Sequence, residues 1–310
     1  MESFICGSSD QGAIRFFHCL KKHIDLTFVD DLKKIKSQEN TIYITGAALG
    51  DSLDKALIKK ARKEKCKCIS IIDHWSWYKK RFEYNNSLLL PDLILVNDEI
   101  ALNDAIIDGL PSNKLMIGGN PVLEQLSKIE YSHDIDLVAI KNRLDLPDKR
   151  IIVFVSEELA SEFNNSSDDL GYDEYKVLDQ IIKLLKPTDH LVIKLHPSEK
   201  SDKYDYLECV KYTSIKNIDL YELDAIADIV VGMASMLLLE LAMLRDDVIS
   251  YRPNNNKKFI GKSLNATVDI STKRELKDML IEPQKVPNNF RKRFNGSGNN
   301  ISKIINEFAQ

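Results

Sequence analysis

Apolar positions along the chain fall in short runs separated by amphipathic stretches, and this alternation continues from end to end. Runs at 3–6, 25–29, 41–45, 68–73, 93–96 and 115–117 predict strands, while the helical spacing of apolar residues at 11–22, 52–65, 99–108 and 122–129 predicts helices between them. Repeated strand-then-helix with short connections predicts a parallel sheet covered on both faces. Around 130–149 the chain turns polar, with a short helical pattern before Leu146-Pro147-Asp148-Lys149. The alternation then restarts with strands at 151–155, 190–195, 229–231 and 248–251 and helices at 172–185 and 235–244. A glycine-marked turn and a terminal helix at 301–308 close the chain. The expected organisation is a Rossmann-like domain at 1–130, a linker at 131–149, a second such domain at 150–294 and a C-terminal helix at 295–310. Two domains of this kind leave a central cleft between the C-terminal edges of two sheets, where doubly wound folds bind their ligands.

Composition narrows the classes. With 43 Lys+Arg against 47 Asp+Glu in 310 residues the formal charge is −4, which excludes a strongly basic nucleic-acid binder. The longest apolar stretch, 229–244, is interrupted by Gly232, Ser235 and Glu240 and is shorter than the ~20 residues that cross a bilayer. The N-terminus runs straight into a strand-like segment with no basic n-region or apolar h-region, so a cytoplasmic protein is expected. Cys6, Cys19, Cys66, Cys68 and Cys209 form neither a disulfide framework nor a zinc-type ligand pattern and read as buried thiols.

Chemistry in such a fold belongs in the loops after strands. The strand at 190–195 delivers His196 to its C-terminal end, where Pro197 restrains the backbone before it. An imidazole held there can donate an N–H to a phosphate oxygen or a leaving group, and reads equally as an ordinary strand-ending histidine. Lys194, two residues earlier, shares its side of the strand and adds positive charge. A second strand enters Gly232-Met233-Ala234-Ser235, and Ser235 reads as the N-cap of an apolar helix beginning at Met236. Glu240 is an acid on that otherwise apolar helix, suited to a ribose diol and equally to an internal salt bridge.

Taken together, His196-Pro197 after one strand, and Gly232, Ser235 and Glu240 after a later one, resemble the nucleotide-sugar half of GT-B glycosyltransferases with a His-Pro motif. These include sialyltransferases, Kdo and nonulosonate transferases of capsule and lipopolysaccharide synthesis, and polymerases of the CDP-glycerol type. The resemblance implies that His196 and Ser235 contact the donor phosphate and that Glu240 binds ribose. The resemblance likewise implies that Ser156 and Glu157, after the strand at 151–155, line the donor site; they read equally as a solvated strand-to-helix turn. Gly118-Gly119-Asn120-Pro121 resembles the turn before the interdomain crossover, from which Asn120 reaches a donor phosphate; it reads equally as an ordinary turn.

Three further loops lie in the first half. Gly7 to Gly12, with Asp10, lacks the dinucleotide spacing; Thr45 to Ser52, with Asp51, lacks the phosphate-loop lysine. Asp73-His74-Trp75-Ser76-Trp77-Tyr78-Lys79-Lys80-Arg81 combines an acid, an imidazole, aromatics suited to a sugar face, and cations. Alternatively Trp75 and Tyr78 are core and 79–81 a solvated face. The general base of an inverting transfer is one of Asp10, Asp51, Asp73 and His74; the residues do not choose between them. The expected activity is transfer of a sugar, foremost a CMP-activated acidic one, from a nucleotide donor to a surface-glycan or lipid-linked acceptor. An epimerase or hydrolase of the same fold, or a silent binding subunit, stands as the alternative. No cofactor or metal is expected, because His196, Lys194 and a helix N-terminus would neutralise the phosphates. Basic runs occur at 59–63 and 291–293; a charge run on a helix ordinarily marks its wet face, and the second run, flanked by Phe290 and Phe294, alternatively makes peripheral contact with anionic lipid if the acceptor is lipid-linked.

Overall fold

The computed structural model describes residues 3–35, 40–128, 135–163, 170–207, 210–254, 259–287 and 289–310. The chain divides into two compact units, Met1–Gln125 with Phe294–Gln310, and Leu126–Arg293.

Unit 1 runs β1 (Ser3–Gly7), α1 (Gln11–Leu20), β2 (Leu26–Phe28), β3 (Thr41–Thr45), α2 (Leu53–Glu64), β4 (Lys67–Ile71), α3 (Tyr78–Arg81), a small hairpin β5 (Glu83–Tyr84) and β6 (Ser87–Leu88), β7 (Leu93–Val96), α4 (Glu99–Ile107) and β8 (Leu115–Ile117). Helix α5 (Pro121–Lys128) follows. The six main strands pair in parallel in the order β2-β1-β3-β4-β7-β8. Every residue of β3 and β7 is buried, which is why they read as continuous apolar runs rather than alternating ones. Helix starts match local acids and hydroxyls: Asp10 accepts from the Gly12 N–H at 2.8 Å, Ser52 from Lys55 at 3.4 Å and Asp98 from Ala101 at 2.8 Å.

The last helix, labelled α13 (Ser297–Ala309), packs Ile301, Ile304 and Ile305 among Phe16, Phe17 and Leu20. It begins four residues before the apolar spacing predicts. The buried carboxylate of Glu124 accepts from the N–H groups of Gly296 and Gly298 at 2.8 Å each, satisfying donors that would otherwise fray that first turn.

Unit 2 contains α6 (Leu137–Arg143), β9 (Arg150–Val155), α7 (Leu159–Phe163), α8 (Glu174–Ile182), β10 (Asp189–Lys194), β11 (Tyr212–Ile215), α9 (Leu220–Ile226), β12 (Ile229–Gly232), α10 (Met236–Ala242), β13 (Ile249–Tyr251), α11 (Ile260–Ser263), β14 (Val268–Ile270) and α12 (Lys273–Ile281). Its sheet is again parallel, in the order β11-β10-β9-β12-β13-β14. The apolar pattern names neither β11 nor β14. Both are edge strands with half-exposed side chains, so neither carries a long apolar run.

In each sheet the chain starts centrally and winds outward in both directions. The reversal falls between β1 and β3 in unit 1 and between β9 and β12 in unit 2. Parallel strands part their following loops at such a point and open a crevice at the carboxyl edge.

Candidate functional site

The crevice of unit 2 gathers most of the residues expected to bind a donor. The loops after β9, β10 and β12 leave three neighbouring strands at one sheet edge. They carry Ser156 and Glu157, His196 and Pro197, and Met233 to Ser235 respectively, the last leading into Met236 at the start of α10. The loops are cross-linked: Glu157 Oε1 accepts from the Ala234 N–H at 2.7 Å, and Ser198 donates to Glu158 Oε2 at 2.6 Å. His196 and Pro197 are exposed, whereas Lys194 is buried at the end of β10, its ammonium on the Leu195 carbonyl at 2.7 Å. Burial pushes the Lys194 ammonium down from its usual range, with Glu199 and Glu240 opposing. That coupling places Glu240 of α10 within the field of Lys194. Ser235 caps α10, its Oγ accepting from the Leu237 N–H at 3.2 Å, which leaves the hydroxyl proton to donate elsewhere. Gly232 is tightly packed: a Cβ there would stand 3.0 Å from Val155 Cβ and 3.1 Å from Leu238 Cδ2, so these neighbours would have to shift by a few tenths of an ångström.

Beneath the His196 loop lies a buried polar brace that the sequence pattern did not single out. Glu199, 1% exposed, accepts from the His196 N–H at 2.6 Å, from Ser156 Oγ at 2.7 Å and from Lys203 Nζ at 2.5 Å. Because Ser156 gives its one proton to Glu199, the Tyr204 hydroxyl 2.5 Å away donates to Ser156. Lys203 also reaches Glu174 at 2.6 Å and the Glu157 carbonyl at 3.1 Å. The signal was present in the i,i+4 pairing of Glu199 with Lys203, but such spacing more often marks a solvated helix face.

In unit 1 the crevice between β1 and β3 lies beside Asp10 and Asp73. A methyl group on Gly12 would overlap Asp73 Oδ2 and stand 3.2 Å from Asp10 Oδ1, so both carboxylates flank the bare first turn of α1. Burial pushes the Asp73 carboxyl above its usual range; His74 and Arg81 oppose this and Asp10 reinforces it. Arg81, only 5% exposed, holds the Ala47 carbonyl at 2.9 Å and the Ser76 carbonyl at 3.0 Å, with Asp10 Oδ2 at 4.0 Å. The run 79–81 is therefore divided: Lys79 and Lys80 are exposed, while Arg81 joins Trp75 and Tyr78 inside. Asp51 is exposed ahead of the α2 cap. The buried acid nearby is instead Asp54 in the first turn of α2, which accepts from the Ser8 hydroxyl at 2.6 Å and the Ser9 N–H at 3.0 Å.

Asn120 is buried in unit 1, its Oδ1 on the N–H groups of Val122 and Leu123 at 3.1 Å each and its Nδ2 on Asn97 at 3.2 Å. One Asp-x-Asp spacing occurs, at Asp134-Ile135-Asp136; Asp136 caps α6 through the Ala139 N–H at 3.0 Å, and Asp134 lies outside the described residues. Phe290 and Phe294 are buried, and Arg291 pairs with Asp246 at 2.8 Å. Among the described residues no helix is long and apolar enough to cross a membrane.

A separate cavity of about 680 Å³ in unit 2 is lined by Asp224, Arg245, Asp247 and Leu244, near the start of β12 and away from the crevice loops. Asp224 is 5% exposed and among the described residues its Oδ1 has no hydrogen bond, with Arg245 only as near as 3.5 Å. Burial raises its pKa to about 6, against the pull of Arg245. The folded state therefore binds a proton that the unfolded state releases, and the stability this provides is present below about pH 4 and lost as pH rises through 6. Asp224→Asn should stabilise unit 2 at pH 7 by about 1–3 kcal/mol. The gain should vanish toward pH 4 in urea titrations; an equal effect at both pH values would contradict this account.

No family model matches the chain, and no curated protein matches it in sequence. Similar solved structures exist. UDP-GlcNAc 2-epimerase from Methanocaldococcus jannaschii, in complex with UDP-GlcNAc and UDP, aligns with a TM-score of 0.65 at 16% identity over 99% of this chain and 100% of that one. The Anabaena protein HepE, in complex with UDP and glucose, gives 0.64 at 10% identity over 100% of both. The wall teichoic acid polymerase TagF gives 0.55 at 13% identity over 99% of this chain and 89% of that one. At these identities the likeness is one of architecture, and with two parallel six-stranded sheets it identifies the fold as α/β of the GT-B class, built from two Rossmann-like doubly wound domains.

Proposed function

We propose that this protein is an enzyme of nucleotide-activated sugars that binds the nucleotide in the crevice of unit 2. The observation that carries the reading is the exposed His196 imidazole, carried on a loop whose backbone a buried brace holds through the His196 N–H, beside the point where strand order reverses in that sheet. His196 donates to the donor phosphate, Lys194 adds charge below it, Ser235 gives its free hydroxyl proton, and Glu240 accepts from the ribose diol. The Asp10 and Asp73 pair supplies acid–base chemistry. A carboxyl whose pKa is raised by burial exchanges a proton nearer neutral pH than an ordinary one.

The donor preference is revised from CMP toward UDP, because UDP accompanies both the epimerase and the HepE structures. Transfer to a glycan or lipid-linked acceptor is the leading reaction. Sugar epimerisation is the second reading, favoured by the end-to-end match to the epimerase. The basic run at 291–293 contributes no lipid anchor to this proposal, since its aromatic flanks are buried.

Two measurements test the reading. At a UDP concentration a hundred times the Kd, the protein should gain about 2.7 kcal/mol of stability and a corresponding rise in Tm. CMP should give less. No shift with UDP, UDP-sugars or CMP removes the proposal. Turnover of a UDP-sugar without an added acceptor selects epimerisation, and turnover only with an acceptor selects transfer.

A further inference from the structure

We propose that Glu158 and Ser198 are positioning residues that hold His196 as the Nδ1–H tautomer, so that Nε2 is the atom through which this imidazole takes up and releases a proton. The assignment follows from counting protons. Glu158 Oε2 lies 2.6 Å from Ser198 Oγ, and a carboxylate only accepts, so the single hydroxyl proton of Ser198 points to Glu158. His196 Nδ1 lies 2.5 Å from the same Oγ, which has no second proton to give. A contact that short is a hydrogen bond only if Nδ1 carries the proton and donates it. The Ser198 N–H also approaches Nδ1, at 3.3 Å, but this is the longer and weaker of the two contacts and yields to the first. Nε2 makes no hydrogen bond among the described residues.

The relay draws on two loops that are far apart in sequence. Glu158 follows β9, and Ser198 follows β10 beside it in the sheet. The backbone of the second loop is held by a reciprocal pair: the His196 N–H donates to the Glu199 carboxylate at 2.6 Å and the Glu199 N–H donates to the His196 carbonyl at 3.0 Å. The charged groups tied to these loops are Glu158, which Ser198 links to the ring, and Glu199, whose carboxylate holds Lys203 and whose carbonyl holds Lys216, with Lys194 on the Leu195 carbonyl. Glu199 is engaged by Ser156, Lys203 and the His196 N–H, so Glu158 is the carboxylate in line with the imidazole. A proton arriving at Nε2 makes an imidazolium whose Nδ1–H is already directed through Ser198 toward a negative charge. The proton on Nε2 is then the one presented to an incoming phosphate and the one released when the base is restored. This role of the proton rests on the reading of His196 as a donor-facing residue; the tautomer does not.

Nitrogen-15 NMR of histidine-labelled protein at about pH 9, where ordinary imidazoles are neutral, reads the tautomer directly once the His196 signals are identified by their loss in His196→Gln. Wild type should show a protonated Nδ1 and a bare Nε2. Ser198→Ala should shift the ring to the Nε2–H form that dominates in free histidine. Glu158→Gln should do the same without loss of bulk, because a carboxamide can donate to Ser198 and turn its hydroxyl toward Nδ1. Ser198→Thr, which keeps the hydroxyl, should retain the wild-type pattern. A wild-type ring already in the Nε2–H form, or a tautomer unmoved by Ser198→Ala, overturns the proposal. If the tautomer behaves as described but no nucleotide sugar is bound or turned over, the functional reading fails and the relay stands.

Discussion

Replacing His196 with alanine is expected to lower kcat/KM for a nucleotide sugar by about a hundred- to a thousandfold, the scale on which removal of one aimed donor slows a reaction that develops charge on its leaving group. The fold should be unaffected. The imidazole is exposed, its ring bonds among the described residues run only to Ser198, and the loop beneath it is held by the backbone N–H of residue 196, which alanine retains. Urea unfolding should therefore move by no more than about 0.5 kcal/mol. Near-normal turnover by a correctly folded His196→Ala protein would remove this residue from the site and with it the main support for donor binding in unit 2.

The second large effect concerns the brace. Lys203→Met should destabilise the protein by about 3–5 kcal/mol, because it leaves two buried carboxylates without their shared cation. Glu174 and Glu199 are each 1% exposed, and the ammonium lies 2.6 Å from one and 2.5 Å from the other. The sign of the pH dependence follows from these contacts. In the wild type, hydrogen bonds and charge from Glu174 and Glu199 outweigh burial and raise the Lys203 pKa above its ordinary value. The stability it provides is thus complete at neutral pH and lost only as pH climbs through that raised value. In the variant the two carboxyls would be harder to ionise when folded, so the deficit should shrink as pH falls and they take up protons. Urea titrations at pH 7 and pH 5 followed by circular dichroism would show this. Adding Glu199→Gln to Lys203→Met should recover part of the loss. A pH-independent deficit that the second substitution does not reduce would mean that lost side-chain packing, not unpaired charge, is responsible.

The elements that position the site were largely legible in the chain. The apolar runs of β9, β10 and β12 are buried on both faces and so cannot alternate, which makes them conspicuous. The residues at their ends could then be named from the break in pattern, as at Leu195-His196-Pro197 and Gly232 to Ser235. What could not be read was the use made of charges. Arg81 sits in a run of three cations that looks solvated, yet it is buried against two backbone carbonyls. Asp51 and Asp54 lie three apart with the same chemistry, and only the second turns inward. Ser198 and Glu158 are ordinary loop residues until two loops some forty positions apart are laid side by side.

The sequence by itself determined the class of fold, the strand order's raw material and the loops in which chemistry could sit, because hydrophobic period and turn residues are local properties. It also determined that one loop would present His196 and another Ser235. Only the tertiary structure decided which acids and bases are dry, which are paired and in what direction their protons point. Those outcomes depend on neighbours brought together by parallel strand pairing: Glu199 with Ser156, Glu158 with Ser198, and Asp73 against the bare turn at Gly12. A carboxylate's solvation is a property of the space around it, and that space is created when the sheet closes.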